Sequence, residues 1–170
     1  KTPTELLAIG KVTAAFNGGR SDVADWQQFV DRRAGVVRSV TGELIWHYRD
    51  RYVEVRTPRT QGVIGFVSGK TINLPGVTAK LKTEFVSLLF TPLDDKPLAE
   101  SEHILITALA RDRQTGAKYS PDGRKLLTIG SPPLLLEPVQ ATITFAGPAP
   151  RQVNALDPYG VPTGRRAKVT

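Results

Sequence analysis

Tyr52-Val-Glu-Val-Arg56, Thr57-Pro-Arg-Thr-Gln61 and Gly62-Val-Ile-Gly-Phe66 follow one another without a break, and their reading decides the fold. The first segment alternates apolar and polar side chains with a period of two, the pattern of a strand with one face in the core. On that pattern Val53 and Val55 point inward while Tyr52, Glu54 and Arg56 point out. The middle segment is polar and contains proline, so it turns the chain. The third, carried on to Val67, is apolar on both faces and reads as a central strand.

The same style extends in both directions. Upstream, Thr41-Gly42 turns into a strand over Glu43 to Tyr48, and Leu6 to Phe16 reads as an opening strand ended by Asn17-Gly-Gly19. Between them Ser21-Asp22 caps a short helix whose face carries Val23, Trp26 and Val30. Trp26 there is expected to plug one end of the core. Downstream, Thr71 to Leu74 is a short strand ended by Pro75-Gly76, and Val77 to Leu89 is a long one closed by Pro92. Ile104 to Leu109 reads as a buried strand, and Pro121-Asp-Gly123 as a turn before Leu126 to Ile129. Leu134 to Leu136 follows Ser131-Pro-Pro133, and Val139 to Phe145 alternates as a strand with one buried face. Arg151 to Leu156 and the turn Asp157-Pro-Tyr-Gly160 make a last hairpin, or one strand and a basic tail over 157–170.

That tally, about nine to eleven closely spaced strands, predicts an all-β fold, an antiparallel β-sandwich of jelly-roll type with one short N-terminal helix. With 170 residues and no linker or repeat, a single domain over 1–170 is expected, its sandwich core in 36–156. The chain begins at Lys1 and contains no methionine, so it reads as a processed or excised fragment.

Composition narrows the function. Zero cysteines exclude disulfides, thiolate metal sites and a cysteine nucleophile. No apolar run is long enough to span a membrane. A net charge of +7 permits attraction to anionic polymers. Its basic residues are dispersed, with small clusters at Arg111, Arg113, Lys118, Arg124 and Lys125 and at Arg165, Arg166 and Lys168. No nucleic-acid-binding motif accompanies them, and nucleic acid is not an expected partner. Nothing in the pattern asks for self-association, and a monomer is expected.

A set of short motifs carries a resemblance. Ser39-Val-Thr-Gly-Glu-Leu-Ile-Trp46, Thr57-Pro-Arg-Thr-Gln61 and Gly65-Phe66 come first. Leu93-Asp-Asp-Lys-Pro-Leu-Ala-Glu-Ser101, Ile104-Leu-Ile-Thr-Ala108, Gln114-Thr-Gly116, Gly130-Ser-Pro-Pro133 and Leu136-Glu-Pro138 follow. In this order and spacing, over Val36 to Phe145, the chain resembles the all-β accessory domain that lies C-terminal to the catalytic barrel of large secreted bacterial glycoside hydrolases. An aspartate usually stands in that family where this chain has Val40. The resemblance implies a β-sandwich, a secreted or cell-surface location in polysaccharide-degrading bacteria, and two partners: a polysaccharide and the catalytic barrel of the parent enzyme. It implies no reaction, because the catalytic acids of such enzymes lie on the barrel.

The residues agree that this is not an enzyme in itself. Glycoside hydrolysis needs two carboxyl groups across a cleft, and the spacing of Glu43, Glu54, Glu84, Glu100, Glu102 and Glu137 pairs none of them. His47 and His103 sit on or beside strands without a nucleophile elbow. No cofactor is expected, and a structural calcium has only Asp94-Asp95 to recommend it. Arg59 and Gln61 read as polar anchors bonding turn carbonyls at a strand end. Sugar binding needs flat aromatic rings beside bidentate polar groups. Trp46, Tyr48 and Tyr52 offer one such strip, bordered by Arg49, Arg51 and Glu54, unless Trp46 is core and Tyr48 its cap. Tyr119 and Tyr159, each in a turn-rich loop, offer a second platform or are ordinary loop anchors. The expected function is therefore a non-catalytic carbohydrate-binding module of a polysaccharide-degrading enzyme. The alternative is a structural domain that packs on the barrel and stabilises it without binding glycan.

Overall fold

A computed structural model of the chain describes residues 3–10, 12, 16–19, 25–147 and 149–169. It is all-β and antiparallel throughout, with one short helix, α1 (Glu5–Ile9). The first strands are β1 (Val30–Asp31), β2 (Val36–Arg38), β3 (Leu44–His47), β4 (Tyr52–Arg56) and β5 (Gln61–Phe66). They lie side by side in sequence order, each joined to the next by a short connection. The chain then leaves this layer to form the hairpin of β6 (Thr71–Asn73) and β7 (Val77–Leu81). It returns as β8 (Phe85–Pro92) beside β5, and β9 (Ile104–Leu109) closes the seven-stranded sheet. The smaller layer is β6 and β7 completed by β14 (Ala141–Phe145).

The core fills the space between these two layers. Val63, Val86, Leu88 and Phe90 come from the large sheet, Val67 from just past β5, and Ile72, Val77, Ala79 and Leu81 from the small sheet. Phe90 and Phe145 meet edge to face across the gap at 5.9 Å, a favoured aromatic geometry. Burying each large apolar side chain contributes about 1.5–3 kcal/mol, so this one cluster carries most of the fold's stability. Close approach of strands fixes one glycine: a Cβ on Gly62 would strike the Leu88 carbonyl oxygen of the neighbouring strand.

The segment Thr57 to Gln61 is a corner held by its own polar groups. The Thr57 hydroxyl donates to the Thr60 carbonyl and accepts the Thr60 N–H, each at 2.8 Å. Gln61 is buried, and its Oε1 accepts the Gly76 N–H at 2.8 Å, tying the β6–β7 turn to β5. Arg59 donates to the Asp94 carbonyl at 2.6 Å and to the Asp95 carboxylate at 3.3 Å. The Leu98 N–H bonds the Pro58 carbonyl, which seats Leu98 in the core. Arg59 thus bonds a turn carbonyl as expected, whereas Gln61 anchors its turn by accepting a backbone N–H, because its carbonyl oxygen and not its amide group faces Gly76.

Beyond β9 the chain leaves the sandwich. β10 (Asp112–Thr115) pairs with β13 (Ser131–Leu136), and β11 (Lys118–Tyr119) with β12 (Leu126–Thr128). Together they make one long ribbon, turned at Pro121-Asp-Gly123, with Gly123 at φ 70°. A second hairpin joins β15 (Asn154–Leu156) to β16 (Pro162–Arg166). The basic end read as a tail therefore forms a paired strand as far as Arg166.

Several expectations need correction. Leu6 to Ile9 lies in α1, not in an opening strand; residues 11 and 13–15 of that stretch fall outside the described ones. Residues 20–24, where the helix start was expected, also fall outside them, and Gln27–Phe29 forms a 3-10 turn leading into β1. Trp26 is half-buried beside the Arg32 guanidinium, 5.8 Å from its ring centroid, and is not in the core cluster. The run Val77 to Leu89 is two strands in different layers, broken at Lys82-Thr83-Glu84. Ile104 to Leu109 is an edge strand, half-buried to exposed, because among the described residues no further strand pairs beyond it.

Candidate functional site

The aromatic strip expected over Trp46, Tyr48 and Tyr52 is divided by the large sheet. Trp46 and Tyr48 meet edge to face at 5.7 Å. Tyr52 lies on the opposite face, 8% exposed and within the core cluster. The inward and outward faces of β4 are the reverse of those expected. Tyr52 and Glu54 are buried, while Val53 and Val55 face away from the small layer. Register explains this. Tyr52 sits directly across from Gly65, whose missing side chain leaves room for it.

Around Tyr52 lies a buried polar group. Its ring stacks on His47 at 4.2 Å. Burial, followed by the nearby Glu54 and Asp50 carboxylates, pushes the Tyr52 hydroxyl above its ordinary pKa. Glu54 Oε2 accepts from Arg56 at 2.7 Å, and the same Arg56 nitrogen donates to the Asn73 carbonyl at 3.1 Å. His47 Nε2 stands 3.1 Å from Glu54 Oε1 without hydrogen-bond geometry. The arrangement neutralises a buried carboxylate and joins β4 to β6.

A second cluster sits where the ribbon leaves the sandwich. Arg111 donates from Nη2 to Glu84 at 2.7 Å and from Nε to Glu137 at 3.1 Å. The Glu137 hydrogen bond, with Glu84 behind it and against some burial, raises the Arg111 pKa further. Beside it the Thr83 hydroxyl accepts the Gln140 N–H at 2.7 Å and donates to the Pro138 carbonyl. Both carboxylates are held by one guanidinium, so the cluster clamps the ribbon's base to the β7–β8 turn. Among the described residues no group of three or more His, Cys, Asp or Glu side chains is placed to hold a metal ion. Asp94 turns its carboxylate to the Lys96 and Glu102 N–H groups, and Asp95 pairs with Arg59.

The most distinctive surface was not anticipated from the sequence. On the face of the large sheet turned away from the small layer, register aligns Trp46, Val53, Ile64, Ser87 and Leu109 in one row. Leu44, Val55, Gly62, Leu89 and Thr107 form the next. Phe66 pairs with Phe85, and Thr91 with Leu105. No outward position of β3, β4, β5, β8 or β9 carries a charge. Leu44, Ile64 and Leu109 stand exposed, and Arg51 covers Phe66 from the margin at 4.1 Å. The available signal was that Val63 to Phe66 is apolar on both faces and Phe85 to Leu89 largely so. Pairing was needed to show that these outward positions adjoin.

Tyr119 and Tyr159 lie on separate projecting hairpins, 42% and 91% exposed. The Arg113 guanidinium lies 5.9 Å from the Tyr119 ring centroid. No protein-family model, curated protein or solved structure matches this chain.

Proposed function

We propose that the chain is a non-catalytic accessory domain that packs on a larger catalytic barrel and braces it. One observation carries this reading: a five-stranded sheet face without a charged outward position, where a free sheet face normally alternates to polar residues. Such a face is ordinarily buried against a second sheet or a layer of helices. Its partner is the barrel named by the resemblance, which also supports a secreted or cell-surface setting in polysaccharide breakdown.

The test joins the chain to a catalytic barrel of the resembling hydrolases and follows thermal unfolding of the barrel. Wild-type sequence is expected to raise the barrel's Tm, and the double variant Ile64→Glu/Leu109→Glu to cancel the rise. A barrel that unfolds at the same temperature with and without the chain would overturn the proposal. Carbohydrate binding remains a second reading, favoured by the two solvent-facing tyrosines on the hairpins rather than by the divided Trp46 strip.

A further inference from the structure

The charge of this chain is segregated. Residues 25–109, which hold the large sheet and most of the core, carry eleven Lys or Arg against ten Asp or Glu, a net +1. Residues 110–169, which hold the ribbon and the last hairpin, carry nine against four, a net +5 of the total +7. This basic part is also the most exposed: every position of β13, β15 and β16 is open to solvent. It is nonetheless aimed, because the Arg111 and Thr83 bonds hold the ribbon's base and the Asp157 carboxylate closes the hairpin turn by accepting the Tyr159 and Val161 N–H groups at 2.9 Å. Held geometry lowers the ordering cost of binding.

We infer that the ribbon and hairpin bind an anionic polysaccharide, one bearing carboxylate or sulfate on a pyranose repeat. Such a polymer presents an apolar C–H face and a negative substituent at every repeat. The ribbon interleaves the matching groups: Arg113 over Tyr119, then Arg124 and Lys125 beside Leu126 and Leu127. The second hairpin carries Tyr159 at its turn and Arg165 and Arg166 toward its base, with Arg166 opposite Asn154. A nucleic-acid duplex fits less well, since it offers phosphates outside and base edges within, with nothing for Leu134, Leu135 and Leu136. A lipid surface also fits less well. The ribbon's tip is Ser120-Pro-Asp-Gly-Arg-Lys125, too polar to enter first, and the open edges of a two-stranded ribbon leave backbone groups unpaired in hydrocarbon. This surface is separate from the uncharged sheet face and does not depend on the bracing proposal.

The experiment is affinity electrophoresis of the whole chain at low and high salt through gels containing dextran sulfate, polygalacturonate or neutral dextran. A DNA duplex and phosphatidylserine vesicles are titrated alongside. Retention is expected on dextran sulfate or polygalacturonate, and which of the two retains it identifies sulfate or carboxylate as the recognised group. It should weaken with salt. Arg113→Ala/Tyr119→Ala and Arg124→Ala/Lys125→Ala should each weaken it by about tenfold, the range of lost charge and stacking contacts. Lys80→Ala/Lys96→Ala removes as much charge from the sandwich as the second of these and should change it by less than about twofold. Circular dichroism checks that each variant is folded. No retention on either polyanion, equal loss from the Lys80/Lys96 pair, or tighter binding to DNA or vesicles would each overturn the inference. Ile64→Glu/Leu109→Glu should leave retention intact, so failure here and failure of the bracing proposal are read separately.

Discussion

Leu88 and Leu135 are both strand leucines in largely apolar runs, yet Leu88 is 1% exposed and Leu135 is 53% exposed. Leu88 faces the small sheet across the sandwich. Leu135 sits on a ribbon that no second layer covers within the described residues. Burial in a β protein belongs to the pair of layers and not to the strand. The sandwich has its second layer within the chain, whereas among the described residues no sheet covers the ribbon or the uncharged outer face of the large sheet. That contrast assigns stability to the sandwich and leaves the other two surfaces to the interactions proposed above.

The widest separation between the two regions should appear on truncation. Phe90→Ala empties the centre of the core and loses the Phe145 contact, at a cost of about 3–5 kcal/mol in urea unfolding. Leu135→Ala should fall within about 0.5 kcal/mol of wild type. Similar costs at the two sites would break the comparison, because the ribbon would then be packed. Gln61→Ala is expected to be the next largest, at about 1–3 kcal/mol, since it leaves the buried Gly76 N–H without its acceptor. An unchanged urea midpoint for that variant would mean that the corner does not hold the β6–β7 turn.

Arg111→Ala sharpens the boundary between the regions. Its side chain is about one-third exposed, so loss of the two ion pairs should cost no more than about 1 kcal/mol globally. Hydrogen exchange should nevertheless quicken at Glu137 and Gln140, where the ribbon is clamped. Unchanged exchange there would show that Thr83 alone fixes the base.

Acid gives the smallest effect, and it should appear in both regions. At Asp94 the slight burial acts upward but is outweighed by hydrogen bonds from Ser101, Glu102 and Lys96, so the pKa is lowered. At Asp122 the Ser120 hydroxyl and the Arg124 N–H lower it. A carboxyl depressed in the folded chain contributes stability above its unfolded pKa and loses it as pH falls through the folded value. Both turns should therefore hold their amide chemical shifts through the usual aspartate range and change only below it. Titration of either carboxyl at its ordinary value would remove that turn from the account.

Local chemistry was legible where it acts locally. Pro75-Gly76, Pro121-Asp-Gly123 and Asp157-Pro-Tyr-Gly160 turn where expected, because proline, glycine and aspartate impose backbone geometry without help from distant residues. Short apolar stretches were less clear. Leu6 to Ile9 suits a strand or a helical turn equally, and the structure makes it α1, with Ile9 buried and the helix against β2. For the candidate site, Trp46 and Tyr48 came together as adjacent strand residues suggested, while Tyr52 separated from them across the sheet.

The sequence by itself determined that this chain is a succession of short antiparallel strands, since a period of two and turn-forming residues are properties of neighbouring positions. It also determined that Thr57 to Gln61 is an anchoring corner. Only the tertiary structure decided which face of each strand is inside. Alternation defines two faces but does not say which of them meets a second layer. Pairing Tyr52 with Gly65 turned β4 inside out relative to its hydropathy, and pairing β3, β4, β5, β8 and β9 assembled their outward residues into one uncharged surface.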